Sequence, residues 1–259
     1  MKINIPMTGY GSRFVAAGYM ELKPFISVQG KPIIEWIIQG MFPGEKDILF
    51  VCREEHLRTI DDMEERLRSI APGCEIAAIS DWVKKGPVYD VLRVSDLIDD
   101  NEPCIINYCD FFMEWDWQGF KRDVAKRGCD GCVPCYSGFH PHLLIEKNLY
   151  ASCKVDEEEN LIEIREKYSF EKDKQKPRHS PGTYYFRTAA LMKKYCKMLT
   201  ESDQAINGEY YASLPYNFMV ADGLKVWIPV NVKHFCQWGT PEDMADYLFW
   251  TERTRRFSK

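Results

Sequence analysis

The sequence predicts an α/β protein with a Rossmann-like, mixed and mostly parallel central sheet flanked by helices. Three observations carry this. Short apolar runs alternate with helical segments through the first half of the chain, and repeated strand–helix order builds a parallel sheet covered on both faces. The first run, Ile3 to Met7, delivers the glycine loop Gly9-Tyr10-Gly11-Ser12-Arg13 at its C-terminal end. The run Cys104 to Tyr108 likewise ends at Cys109-Asp110, and α/β sheets bind ligands in the crevice beyond the carboxyl ends of their strands.

Taken in order, Ser12 to Gly18 reads as a short helical turn stopped by Gly18, and Phe25 to Val28 as a second apolar run. Gly30-Lys31-Pro32 opens a helix, since proline is tolerated in a first turn. Its wide apolar face (Ile33, Ile34, Trp36, Ile37, Ile38) packs against the sheet. Asp47 to Cys52 is a strand, Glu54 to Ile70 a charged helix, and Glu75 to Ile79 a strand. Lys84-Lys85-Gly86-Pro87 leads into a helix from Val88 to Ile98. Beyond Asp110, the aromatics around Glu114 and Asp116 suggest a surface turn, and Phe120 to Arg127 is helical.

Near Cys129 the pattern changes. Cys129 to Tyr136, Leu149 to Val155, Leu161 to Ile164 and Tyr184 to Arg187 read as strands, with the acidic DEEEN segment as a hairpin turn. Glu166 to His179 reads as a mobile polar loop. Helices are expected over Ala189 to Leu199 and Gly208 to Ala221, and short strands over Lys225 to Val230 and Lys233 to Phe235. Thr240-Pro241-Glu242-Asp243 is a helix start with a threonine cap.

Composition excludes several classes. The chain has 259 residues, 45% of them apolar, and a net charge of −5 without a Lys/Arg block, so nucleic acid is not an expected partner. Arg253, Arg255, Arg256 and Lys259 read as a solvated helix end. No run approaches the ~18 apolar residues of a membrane span, and Ile3 to Met7 is too short for a signal-peptide core. Ten cysteines without an export signal are expected as reduced thiols in a cytoplasmic protein. Cys129, Cys132 and Cys135 form C-x2-C-x2-C with His140 and His142 behind. A fourth ligand at standard spacing is missing and Pro134 interrupts the run, so core thiols are the preferred reading. Tyr247, Phe249 and Trp250 suit burial in the chain's own core or in a second copy, which leaves a homo-oligomer open.

The glycine loop carries the chemistry. Glycines let backbone N–H groups come close to a phosphate, and Arg13 and Lys23 add a fork and a point charge to the same polyanion. Phe14 stands where a dinucleotide fingerprint has its third glycine, and the Gly-Lys-Ser/Thr ending of a P-loop is missing. Gly-x-Gly-Ser-Arg followed by Lys23-Pro24 resembles instead the signature of the GT-A-like sugar-phosphate nucleotidyltransferases, the NDP-sugar pyrophosphorylases. The resemblance covers nearly the whole chain and is strongest at its two ends.

That resemblance implies one nucleotidyltransferase domain over 1–259, with 1–128 the nucleotide-binding half and 129–259 the acceptor-binding half. Met7, Thr8, Gly9, Gly11, Ser12, Arg13 and Gly86 would bind the nucleotide, with Arg13, Lys23 and Asp110 as the catalytic set. Glu166, Lys167, Gly182 and Glu209 would hold a phosphorylated acceptor, either a sugar 1-phosphate or a small alcohol phosphate. Asp110 would hold Mg2+, a hard cation that takes oxygen ligands. The segment Phe235-Cys236-Gln237-Trp238-Gly239-Thr240 departs from the family pattern, because Gln237 stands where the second metal-binding aspartate belongs. Gln237 would then coordinate through its carbonyl, or Glu209 or Asp222 would substitute. The departure resembles a divergent branch associated with capsule and surface polysaccharide. The rivals are a GT-A glycosyltransferase, against which Asp110-Phe111-Phe112 lacks the second acid of Asp-x-Asp, and a non-catalytic nucleotide-sugar-binding protein.

Overall fold

A computed structural model describes residues 1–257. Lys259 and the side chains of Arg255 and Arg256, assigned from sequence to a solvated helix end, lie outside the described residues. The first half contains β1 (Lys2–Pro6), α1 (Ser12–Ala16), β2 (Ser27–Val28), β3 (Lys31–Pro32), α2 (Ile33–Glu35), β4 (Ile48–Arg53), α3 (Glu54–Thr59), α4 (Met63–Ile70), β5 (Glu75–Ile79), α5 (Pro87–Arg93), β6 (Cys104–Asn107), β7 (Phe111–Glu114) and α6 (Trp117–Arg127). The second contains β8 (Gly131–Cys132), β9 (Ser152–Val155), β10 (Leu161–Arg165), β11 (Arg178–His179), β12 (Thr183–Phe186), α7 (Ala189–Glu201), α8 (Pro215–Ala221), β13 (Val226–Trp227), β14 (His234–Gln237) and α9 (Pro241–Phe257).

The central sheet runs β13-β8-β12-β6-β1-β4-β5. β1 is parallel to β4 and β6, β4 to β5, and β8 to β13; β12 runs antiparallel to both its neighbours. The mixed, mostly parallel sheet is therefore present, with strands of both halves in it. Successive residues of a strand face opposite ways. Ile105 joins the core on one side of the sheet, and Cys104 and Ile106 join the core on the other. That double burial is why these strands read as continuous apolar runs. Buried Asn4 is accommodated by donating from Nδ2 to the Ile105 carbonyl at 2.9 Å.

Several boundaries differ from the sequence reading. Lys31–Pro32 pairs with Ser27–Val28 as a small hairpin, and the helix that follows turns into a π-helix over Trp36–Met41. The charged helix expected over Glu54 to Ile70 breaks at Ile60 and at Asp62, which has φ 59°. The helix expected to reach Ile98 ends at Arg93. The expected turn after Asp110 is β7, with Phe111 and Met113 buried, and Asp116 caps α6 by accepting from the Gly119 N–H at 2.8 Å. Regular strand covers only Gly131–Cys132 of the predicted Cys129 to Tyr136, where Pro134 follows closely. The helix expected from Gly208 starts only at Pro215, a residue type tolerated in a first turn. Arg178–His179, within the expected loop, pairs with β9.

All ten cysteines are free, and Cys135 Sγ lies 3.9 Å from Cys153 Sγ. Tyr247 packs edge-on to Trp238 at 5.3 Å, while Phe249 and Trp250 are exposed. No helix among the described residues is long and apolar enough to cross a membrane.

Candidate active site

A cleft of about 570 Å³ lies at the carboxyl ends of β1 and β6 and takes in segments of the second half. Apart from the alternative metal ligand Asp222, the residues that the sequence reading assigns to nucleotide, acceptor or metal line it: Met7, Thr8, Gly9, Gly11, Ser12, Arg13, Lys23, Gly86, Asp110, Glu166, Lys167, Gly182, Glu209 and Gln237. The glycine loop follows β1 directly, and α1 opens from the Gly11 carbonyl, which accepts from the Phe14 N–H at 2.8 Å.

At one end, Lys23 Nζ donates to Asp110 Oδ2 at 2.8 Å and to the Gly239 carbonyl at 2.8 Å. Pairing of β14 with β7 sets Gln237 opposite Phe111, the residue after Asp110. Gln237 donates from Nε2 to Asp243, and its buried Oε1 has no hydrogen-bond partner. Asp243 also accepts from the Thr240 hydroxyl at 2.6 Å, and burial raises its carboxyl above the usual range. The acid that accompanies Gln237 is thus Asp243. Of the substitutes considered from sequence, Asp222 is outside the cleft lining and binds Lys194 at 3.0 Å and Tyr195 at 2.8 Å. Glu209 sits beside Gly86, engaged by other groups.

The acceptor candidates form a chain of polar contacts. Lys167, with φ 53°, donates to the Tyr211 hydroxyl at 3.0 Å; Tyr211 donates to Glu209 at 3.1 Å; Glu209 pairs with Lys84 at 3.0 Å. Glu166 accepts from the Ser213 hydroxyl at 2.5 Å, and burial pushes its carboxyl up to about 7. Two glycines here have steric reasons. A Cβ on Gly182 would stand 2.8 Å from the Phe111 ring and 3.0 Å from the Tyr108 ring. One on Gly86, which has φ +89°, would stand 2.8 Å from the Tyr210 nitrogen. That close approach lets Tyr210 donate to the Lys85 carbonyl at 2.8 Å and accept from the Val88 N–H at 3.2 Å, which ties the segment before α8 to the start of α5.

A further set was not legible in the sequence. Asp90, only 2% exposed, accepts from the Thr8 hydroxyl and from Trp82 Nε1, the latter at 3.1 Å; burial pushes its carboxyl up to about 6. Beside it the Arg53 guanidinium lies 3.4 Å from the Tyr10 ring centroid and 3.7 Å from that of Trp82, and Nε donates to the Thr8 carbonyl at 2.6 Å. The available signal was a lone acid in the apolar helix PVYDVL.

Asp110 and Gln237 offer a carboxylate and an unfilled amide oxygen, hard donors that suit Mg2+. Among the described residues no group of three or more His, Cys, Asp or Glu is placed to hold a metal, so a divalent cation here would take its remaining ligands from substrate and water.

No family model matches the sequence, and no curated protein matches it. Solved structures do resemble the fold. A nucleoside-diphosphate-sugar pyrophosphorylase from Vibrio cholerae aligns with TM-score 0.75 and 20% identity over 95% of this chain and 99% of that one. A UDP-glucose pyrophosphorylase complexed with UDP-glucose aligns at 0.73 and 17%, over 98% of each chain. The inositol-1-phosphate CTP transferase of T. maritima aligns at 0.70 and 14%, over 93% of this chain and 90% of that one. At these identities the likeness establishes the fold alone, the one that these solved structures share.

Proposed function

We propose that this chain is a nucleotidyltransferase that moves NMP from an NTP to a phosphorylated small-molecule acceptor and releases pyrophosphate. The observation that carries the reading is a single cleft. In it a glycine loop with Arg13, Lys23 and Asp110 meets the acceptor set Glu166, Lys167 and Glu209.

An acceptor phosphate oxygen attacks the α-phosphorus of the NTP. The bond from that phosphorus to the bridging oxygen breaks, and pyrophosphate leaves with the electron pair. The nucleophile is already an anion at neutral pH, so no general base is required. Catalysis is positioning and charge neutralisation. Arg13 and Lys23 oppose the triphosphate charge, and Lys167 holds the acceptor phosphate. Glu166 and Glu209 accept from acceptor hydroxyls. Asp110 and Gln237 Oε1 would hold Mg2+, which when bound would supply further positive charge against the triphosphate.

Residues 1–128 form the nucleotide-binding half in this reading, although Gln237 and Gly239 complete its phosphate end from the second half. The acceptor is a sugar 1-phosphate or a small alcohol phosphate. The product is an NDP-linked precursor for surface polysaccharide in the cytoplasm, a role supported by the departure at Gln237.

The test is pyrophosphate release by the purified chain with Mg2+, each common NTP, and pooled sugar phosphates or pooled alcohol phosphates. Release that requires both one NTP and one pool is the expected result. No release from any pair, with NDP-sugar binding retained, would turn the reading to a glycosyltransferase or a binding protein.

A further inference from the structure

We propose that Asp90 selects the nucleobase, and that the base it selects carries an amino group: cytosine, adenine or guanine, against uracil and thymine. The inference rests on the function proposed above and deepens it.

The cleft is chemically polarised. Lys23, Asp110, Gly239 and Gln237 make one end, where cation, carboxylate and unfilled amide oxygen suit a metal-bound phosphate chain. Thr8, Trp82, Gly86, Pro87 and Asp90 also line the cleft and form a different environment. The buried cation beside this second group, Arg53, does not line the cleft, and one of its nitrogens, Nη2, has no hydrogen-bond partner. Arg53 lies between the rings of Tyr10 and Trp82, donates to the Thr8 carbonyl, and pairs with Glu55 at 3.2 Å. A flat uncharged ring suits this end, where a buried carboxylate stands beside an indole, better than a phosphate does.

Asp90 is the feature in need of a partner. Thr8 gives one hydrogen bond to Oδ2 and Trp82 gives one to Oδ1. A carboxylate offers about four acceptor sites, so each oxygen keeps capacity on a side chain that is 2% exposed. Burying acceptor capacity without a donor is costly. A clamp meant only to tie Thr8 to Trp82 would need no charge; an asparagine or a threonine would serve. An exocyclic amino group meets the remaining capacity. Such a group is carried at N4 of cytosine, N6 of adenine and N2 of guanine. Uracil and thymine have a carbonyl oxygen where cytosine has its amino group, and their one ring donor, N3–H, stands between two carbonyl oxygens whose lone pairs would face the carboxylate. Sites built around a substrate amino group reject analogues that lack it, because the protein group is left poorly paired.

Equilibrium binding of CTP, ATP, GTP, UTP and dTTP to the full chain with Mg2+ tests this. At least one amino-bearing triphosphate should bind about tenfold or more tightly than both UTP and dTTP. Asp90→Asn should narrow that gap by raising UTP affinity, since an amide can donate to the uracil carbonyl. UTP or dTTP binding to the wild type as tightly as the best amino-bearing triphosphate overturns the inference, whether or not the variant folds. A well-folded Asp90→Asn with unchanged selectivity removes Asp90 from base choice. No binding of any triphosphate overturns the proposed function along with it, whereas a preference for UTP or dTTP overturns this inference alone.

Discussion

Lys23 and Asp110 are joined at 2.8 Å across 87 positions of sequence, and the same ammonium reaches the carbonyl of Gly239. The lysine holds the carboxylate proposed to meet Mg2+, and it draws the loop after β14 onto the site. A bound triphosphate and cation would compete for the contacts that this ammonium makes. Asp110→Asn weakens the pair and removes the charged metal ligand. Pyrophosphate release should fall by a hundredfold or more, on the scale seen when one preorganised electrostatic group is lost, with the circular dichroism spectrum unchanged. Arg13→Ala should raise KM for the NTP and lower kcat. Unaltered kinetics in both variants would remove the proposed triphosphate end.

Restoring an acid at Gln237 should not simply restore a stronger site. Gln237 Nε2 donates to Asp243, whose carboxyl burial already raises. Gln237→Asp deletes that donor and sets two carboxylates together, at a cost of about 1–3 kcal/mol. The melting temperature without metal should drop, and added Mg2+ should recover more of it than in the wild type. A Tm that stays put, or shows no added Mg2+ response, would separate Gln237 from the metal site.

Gly86→Ala should destabilise the chain by about 1–3 kcal/mol, the usual range for strained backbone, because its Cβ would press on the Tyr210 main chain at φ +89°. Urea unfolding measures it. Gly9→Ala is the control, since a Cβ there meets nothing within 4 Å; its stability should hold while NTP affinity falls if the loop approaches phosphate.

The Glu166 carboxyl is pushed by burial from 4.5 up to about 7. The folded state therefore holds this proton more tightly than the unfolded state. Its contribution to stability is full below about pH 4.5 and is lost as pH rises through 7. Glu166→Gln should abolish that part of the pH dependence, so the two stability curves diverge between pH 4.5 and 7 and run parallel above. Parallel curves throughout would place the carboxyl in the ordinary range.

The strands buried on both faces were legible because burial on each side leaves no polar alternation: β1, β4 and β6 stand where their apolar runs do. β7 was read as a turn from the aromatics around Glu114 and Asp116, and its pairing partner, β14, lies over a hundred residues on. Pairing at that separation leaves no local periodicity. The cleft residues carried by short motifs came together, from the Gly9–Arg13 loop through Lys23 and Asp110 to Glu166-Lys167. Asp90 and Asp243 were not assigned to the site for the opposite reason. Asp90 is a lone acid on a helix and Asp243 read as part of a helix start, and only tertiary packing brings Thr8 and Trp82 to the one and Gln237 to the other.

The place of β12 between β6 and β8 bears on how the gene can be dissected. A cut after Gly128 would divide the chain at the boundary between halves that the resemblance implies. The amino-terminal fragment would then present β6 as a bare edge of unpaired amides and carbonyls, a template for indiscriminate pairing. Neither fragment is suited to life alone, but the pair make a natural split reporter: co-expressed, they would recover solubility by trading that edge for β12, and the yield of soluble complex would score their reassembly.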